Sequence, residues 1–333
     1  MEQRAPFRRD VVSIVTPVYN GAEFLPKMLD SVLAQTYPWI DMILVDDGST
    51  DSTVQVAEDY REKFDARGYS FRIVRGEHKN AAAAINLGLP FVTGEYLIWP
   101  DSDDVLEPES VEKRVQLLRE NPEYQCVRSL AYYFDCETGA PRPFDEKQGD
   151  LSKELLFWDV LEFRTFVCCG CYMLRSEPFF AIYPERRIPE YSTGQNFQML
   201  LPFLYRHKCP TLREELYGVA VRPGSHSRTP LTQSQEEKKY TDYEHLVDEI
   251  AVLCAMDSPE ERNRIARWKA DRRYHISLKY GRWGAALRAL GQLRRYGGLQ
   301  MGGALKELIW ALCRDTWIWK KLYPAYCRFF HER

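Results

Sequence analysis

Apolar residues follow two alternating rhythms through the first 120 positions. Short runs rich in branched aliphatic residues stand at 11–16, 41–46, 71–75 and 95–99. The first fits a strand buried on both faces, the second another buried strand, and the last two a third and a fourth strand. Between them, Phe24, Met28, Leu29, Val32 and Leu33 mark one face of a helix over 23–35. A helix over 52–67 has Thr50 or Asp51 available as its N-cap. An Ala-rich helix follows at 81–90, and Pro108 opens another that runs to about Arg119. Strand alternating with helix predicts an α/β domain, a mainly parallel sheet with helices on both faces. The apolar run at 165–174 predicts a further buried strand. Beyond residue 235 the pattern is helical, near 236–256, 259–280, 283–296 and 303–322. Pro223, Gly224 and Pro230 make 222–235 the expected hinge, separating a domain over 1–230 from a helical appendage over 235–333.

Composition narrows this picture without redirecting it. With 45% hydrophobic and 28% charged residues, the chain can bury enough apolar surface to exclude large-scale disorder. The net charge of -3 conceals a division. Residues 262–333 carry 17 Lys and Arg against 4 Asp and Glu, and the preceding residues carry 28 against 44. An acidic front and a basic tail suggest separate partners. Nine cysteines, an odd number, together with a polar start to the chain, predict reduced thiols and a cytoplasmic protein. Cys168, Cys169 and Cys171 lack zinc-ribbon spacing and read as small core residues. No stretch reaches the roughly 18 to 20 uninterrupted apolar residues of a membrane span.

The polar signals collect at strand ends, where such sheets bind ligands. Thr16, Pro17, Val18, Tyr19 and Asn20 follow the first strand; Asp46, Asp47, Gly48 and Ser49 follow the second; Asp101, Ser102, Asp103 and Asp104 follow the fourth. No Gly-x-Gly-x-x-Gly or Walker A pattern is present, which disfavours a dinucleotide or P-loop site. Asp101 and Asp103 stand one residue apart, and two carboxylates so placed repel unless a cation screens them. Oxygen-only ligation suits Mg²⁺ or Mn²⁺ shared with substrate phosphates. Capping of the following helix is the plainer alternative for these acids. Asp47 is placed to accept from a base N–H or a ribose hydroxyl, or to form an Asx turn. Tyr19 offers an aromatic face for the base.

Three ordered motifs carry a resemblance: residues 12–21 (Val-Ser-Ile-Val-Thr-Pro-Val-Tyr-Asn-Gly), 45–51 (Val-Asp-Asp-Gly-Ser-Thr-Asp) and 94–104 (Gly-Glu-Tyr-Leu-Ile-Trp-Pro-Asp-Ser-Asp-Asp). Together they resemble glycosyltransferase family 2, of the GT-A fold, over roughly residues 10–230. The resemblance implies an inverting transferase that moves a sugar from a nucleotide-sugar, with a UDP-sugar foremost, to a glycan or lipid-linked acceptor. Bacterial surface polysaccharide or glycolipid synthesis is the implied setting. Pro17, Tyr19 and Asp47 would contact the nucleoside. Asp101, Ser102 and Asp103 would form the DxD motif that binds ribose, diphosphate and the metal, Mn²⁺ or Mg²⁺. Asn86 lies in a further donor-binding segment. Arg222 would clamp phosphate from a later loop over the diphosphate, in which His226 would be a third metal ligand and Arg228 a second clamp.

Two positions depart from the family pattern. The segment 80–88 usually carries Arg where Ile85 stands, so a diphosphate or nucleoside contact is either lost or supplied by Arg75 or Lys79. Many members place an acidic base where this chain has Asn196, an amide that takes no proton at neutral pH. Glu190 is then the nearest carboxylate and the expected base. Asn196 and Ile85 also leave open a catalytically impaired nucleotide-sugar-binding scaffold. The basic tail, with Trp310, Trp317, Trp319, Tyr323 and Phe330, suggests peripheral contact with an anionic membrane at its inner face. Packing of these aromatics onto the first domain is the plainer alternative. The acidic front argues against nucleic acid as a partner.

Overall fold

The structure is a computed structural model that describes residues 5–191, 193–222 and 231–297. The expected helix over 303–322 and the residues His226 and Arg228 lie outside the described residues. Two compact units divide the chain, Met1–Pro230 with Glu249–Cys254, and Leu231–Asp248 with Ala255–Arg333.

In the first unit, β1 (Arg8–Val18), β2 (Ile40–Asp46), β3 (Ser70–Arg75) and β4 (Gly94–Ile98) lie parallel in the order β3-β2-β1-β4. Their cores are Val, Ile, Leu and Met, and β2 is buried at every residue, as a strand covered on both faces must be. Beyond β4 the sheet turns mixed. β5 (Val105–Leu106), β6 (Cys126–Asp135), β7 (Pro141–Arg142), β8 (Tyr172–Arg175) and β9 (Thr211–Val221) extend it, with β8 antiparallel to both β4 and β6. β9 runs parallel to β6 and antiparallel to β5. Helices α1 (Leu25–Leu33), α2 (Thr53–Glu58), α3 (Arg61–Arg67), α4 (Ala81–Gly88), α5 (Ser110–Glu120), α6 (Phe157–Leu161), α7 (Ser176–Ile182) and α8 (Gln195–Arg206) complete the unit. This is the GT-A arrangement.

Several expected boundaries move, each for a local reason. The helix expected over 52–67 is two helices, because Tyr60 turns inward between α2 and α3 and its hydroxyl reaches the Pro26 carbonyl at 3.3 Å. Ser52, not Thr50 or Asp51, is the N-cap residue. The Asp51 carboxylate instead accepts from the amides of Thr53 (3.0 Å) and Ala22 (3.2 Å). The helix expected to open at Pro108 starts at Ser110, since the Pro108 carbonyl accepts from Thr36 N in the preceding loop. Most consequential is the strand expected over 165–174. Residues Cys169–Cys171 form a tight helical turn, and only Tyr172–Arg175 is strand. A Cβ on Gly170 would stand 2.1 Å from the Tyr217 ring, so the turn fits beneath that ring only as glycine.

In the second unit, α9 (Gln233–Leu253), α10 (Pro259–Lys279) and α11 (Trp283–Arg295) follow one another. Ser258 caps α10, its hydroxyl accepting from Glu261 N at 3.2 Å and donating to the Glu261 carboxylate at 2.6 Å. Ala270, Tyr274 and Leu278 of α10 bury against Ala286, Ala289 and Leu293 of α11. No helix among the described residues is long and apolar enough to cross a membrane.

Candidate active site

The carboxyl ends of β1, β2 and β4 carry three loops that bind one another. Asn20 adopts a left-handed backbone (φ 46°), a conformation asparagine tolerates better than most residues. Its side-chain oxygen accepts from Thr50 N at 2.8 Å, and its own amide donates to the Ser49 hydroxyl at 2.9 Å. Asp47 N donates to the Val18 carbonyl at 2.8 Å, so the first two loops move as one. The Asp47 carboxylate is buried and accepts from Lys79 N at 3.2 Å, while its second oxygen lies 2.8 Å from His78 Nδ1. The His78 ring in turn stacks on Tyr19, centroids 3.7 Å apart. One face of Tyr19 is therefore occupied, and the residue stays 41% exposed. Pro17 sits beside them as the penultimate residue of β1.

The acidic loop after β4 is tied down from below. Tyr217 of β9 donates to Asp104 Oδ2 at 2.6 Å and accepts from Asp101 N at 3.1 Å. Asp104 Oδ1 accepts from Ala220 N at 2.8 Å, so both its oxygens are spent holding the loop to β9. Arg114 of α5 is fully buried and donates to the Gly170 carbonyl at 2.6 Å, which fixes the turn that supports the Tyr217 ring. Asp101 and Asp103 stay partly exposed, with Ser102 between them. Burial first, and the adjacent Asp103 charge second, push the Asp101 carboxyl up to about 6, and the Cys169 thiol beside it pulls the other way. Asp104 moves upward for the same first two reasons, burial and the neighbouring carboxylates. Asp103 is neutralised locally by Arg222, whose Nε lies 2.8 Å from its Oδ2. The donor set is all oxygen, and its carboxylates are destabilised by one another, which fits a hard divalent cation such as Mg²⁺ or Mn²⁺.

These acids line a cavity of about 340 Å³. Asn196 faces it from the start of α8, its Oδ1 accepting from Trp99 Nε1 at 3.3 Å. Asp145 and Glu146 face it from the loop after β7. Sequence reading passed over both, as well as His78 and Tyr217, because nothing in their local sequence distinguishes them and only the sheet brings them to the rim.

Other expected residues stand apart from the cavity. Asn86 is buried in α4, where its amide donates to the Ile188 carbonyl (2.9 Å) and to Glu190 (3.1 Å), and its oxygen accepts from Ile188 N (2.8 Å). Glu190 is held by Asn86 and by Arg187, at 2.6 Å, and these hydrogen bonds keep its carboxyl below the usual range. It does not line the cavity of Asp101 and Asp103. Ile85 is fully buried in the core, so its position does not present a side chain to the rim. Lys79 meets Asp47 through its backbone amide, and the exposed Arg75 lies 4.0 Å from Asp46.

The sequence profile of Glycosyl transferase family 2 matches residues 13–181, half of the chain, including the loops after β1, β2 and β4. The chain belongs to that family. Among curated family members, glycosyltransferase GlyA of Streptococcus pneumoniae is 26% identical over 266 residues, covering 76% of this chain. This chain spans only 36% of GlyA's length. Among solved structures, S. aureus TarS residues 1–349 in complex with UDP-GlcNAc superpose with a TM-score of 0.62 at 18% identity, over 86% of this chain and 81% of that one. The mannosyltransferase PcManGT of Pyrobaculum calidifontis, in complex with GDP-Man and Mn²⁺, gives 0.51 at 17% identity, over 93% and 90%. The two structures establish the GT-A fold.

Proposed function

We propose that this chain transfers a sugar from a nucleoside-diphosphate sugar to an acceptor hydroxyl with inversion at the anomeric carbon. The observation that carries the reading is the set of crowded carboxylates lining one cavity, Asp101 and Asp103 above the anchored Asp104, with Asp47 and Tyr19 just past the neighbouring strands β2 and β1. Pro17, Tyr19 and Asp47 would receive the nucleoside. Asp101, Ser102 and Asp103 would hold the diphosphate and a Mn²⁺ or Mg²⁺ ion, with His226 as a further ligand. A divalent cation bound there supplies charge neutralisation for the departing nucleoside diphosphate. Arg222 would exchange part of its contact with Asp103 for the incoming phosphate, a guanidinium fork suited to that geometry. Asn86 acts at a distance, positioning the loop through Ile188. The UDP-GlcNAc of TarS and the GDP-Man and Mn²⁺ of PcManGT support a nucleotide-sugar and a cation at this fold's rim.

A glycan or lipid-linked acceptor, as used in bacterial surface polysaccharide or glycolipid synthesis, would meet the enzyme at an anionic membrane through the basic tail. The test is a panel of UDP- and GDP-sugars with Mn²⁺, following nucleoside diphosphate release and the product's anomeric configuration by proton NMR. Release with inversion is expected; retention of configuration contradicts the reading. Asn196, an amide facing the cavity, favours the scaffold as second reading. Nucleotide-sugar binding without any release is its signature.

A further inference from the structure

The cavity poses a chemical question that the donor loops leave open. A hydroxyl attacking an anomeric carbon must lose its proton, and a positioned carboxylate within reach of the cavity is the simplest acceptor for it. Asn196 faces the cavity but is an amide, and its side chain is engaged by Trp99 and, at 3.4 Å, by the Val167 carbonyl. Asp101 and Asp103 belong to the diphosphate, and Asp104 has both oxygens committed. Glu190 lies outside the cavity lining, with Arg187 and Asn86 on its Oε1. Those hydrogen bonds make it a poorer proton acceptor by lowering its affinity for a proton. Two carboxylates remain that line the same cavity as Asp101, Asp103 and Asn196, namely Asp145 and Glu146.

Of these, Glu146 is the one the fold orients. Its Oε1 accepts from the Tyr133 hydroxyl at 2.7 Å and lies 3.8 Å from the Cys168 thiol. Tyr133 belongs to β6 and Cys168 precedes the turn beneath Tyr217, so two buried elements of the sheet aim the carboxylate. Its Oε2 has no protein partner among the described residues. Asp145 has no such support among the described residues. This arrangement repeats the logic of an oriented base, one oxygen fixed and the other presented.

We propose that Glu146 is the general base of this enzyme, taking over from the position that Asn196 occupies. The proposal rests on the transferase reading above. In the step, Glu146 Oε2 takes the acceptor's hydroxyl proton as the acceptor oxygen bonds to the anomeric carbon. The anomeric carbon–phosphate oxygen bond breaks, and its electron pair leaves with the nucleoside diphosphate.

The test uses the full chain with UDP-GlcNAc, GDP-mannose and Mn²⁺, water standing in for the acceptor, and compares Glu146→Gln, Asp145→Asn and Glu190→Gln. Nucleotide binding is measured by calorimetry, and turnover by release of UDP or GDP across pH. Glu146→Gln is expected to lower kcat by about 10² to 10⁴, the usual worth of a general base, while nucleotide-sugar affinity stays within about threefold. It should also flatten the acid limb of the kcat–pH profile expected of a wild type that uses a carboxylate base, and Glu146→Asp should restore part of the rate. A Glu146→Gln enzyme with near-wild-type turnover overturns the assignment, as does a larger loss in Asp145→Asn or Glu190→Gln. Loss of nucleotide affinity in parallel with kcat overturns it too, by making Glu146 a binding residue. Failure of the wild type to bind or to release nucleotide from either donor is a different result and strikes the transferase reading itself.

Discussion

At the scale of single residues, some polar side chains near the site hold loops rather than face the cavity. Asn86 shows this most clearly. It has the polarity of a donor contact, yet all its bonds run to Ile188 and Glu190. Asn86→Asp would set a carboxylate oxygen against the Ile188 carbonyl. A buried polar group left without its partner costs about 1–3 kcal/mol, so urea unfolding should show a loss of about 2 kcal/mol with the m-value unchanged. A loss below about 0.5 kcal/mol would mean that this bridge is not holding the loop. Tyr19 is different, since it stays exposed. Tyr19→Ala should weaken UDP affinity by about tenfold, within the ~1–3 kcal/mol that base–aromatic stacking is worth, and Tyr19→Phe should change it little. Equal affinities in all three proteins would remove the base from that ring. The motif residues Asp47, Asp101 and Asp103 were legible because acids and turn formers gather at successive strand ends. His78, Glu146 and Tyr217 were not, because their partners lie 31, 13 and 113 residues away in sequence.

At the scale of elements, β9 and the turn Cys169–Cys171 support the acidic loop. The sequence run from 165 to 174 is apolar enough for a strand, and apolarity alone does not distinguish a strand from a buried turn. What decides is Gly170 under the Tyr217 ring, a contact across 47 residues that periodicity does not report. Tyr217→Phe should remove the hydroxyl that holds Asp104 and Asp101 N, and Gly170→Ala should displace the ring. Both should weaken Mn²⁺-dependent nucleotide binding, and a thermal melt should show Gly170→Ala also destabilised by about 1–3 kcal/mol. Unaltered binding in Tyr217→Phe would make the tether dispensable. Helix α8 is followed at its C-cap by His207, whose imidazole is pushed below its ordinary value, by burial first and by the Arg206 charge second. A depressed histidine contributes stability that is present above its unfolded value and lost as pH falls through its folded one. Stability should therefore decline between about pH 7 and pH 5, around and below the ordinary imidazole range. His207→Gln should flatten part of that decline in denaturant titrations at each pH. An identical profile in the variant would place the pH dependence elsewhere.

At the scale of the whole molecule, the GT-A unit was readable because the apolar runs of β1, β2 and β4, buried along most of their length, alternate with helices and an edge strand, β3. The mixed half of the sheet was not, since β5 to β9 are short or pair across long separations. Charge adds a dimension that the fold does not need. The excess of 17 basic over 4 acidic residues after Glu261 should draw the protein to anionic vesicles. Each Lys or Arg near such a surface contributes about 1 kcal/mol. Binding should fade with salt over the range where screening shortens to about 10 Å, and be absent from neutral vesicles. Sedimentation with neither composition at low salt would detach the enzyme from membranes.

Asp101 and Asp103 are proposed to take a nucleotide-sugar through a divalent cation. Calorimetric titration of UDP-GlcNAc and GDP-mannose into the wild type and into Asp103→Asn, with Mn²⁺ and then with chelator, tests it most directly. The wild type should bind one of the donors at least about tenfold more tightly with Mn²⁺, or ~1.4 kcal/mol, and Asp103→Asn should lose that enhancement. Affinity indifferent to both the chelator and the substitution would contradict the account.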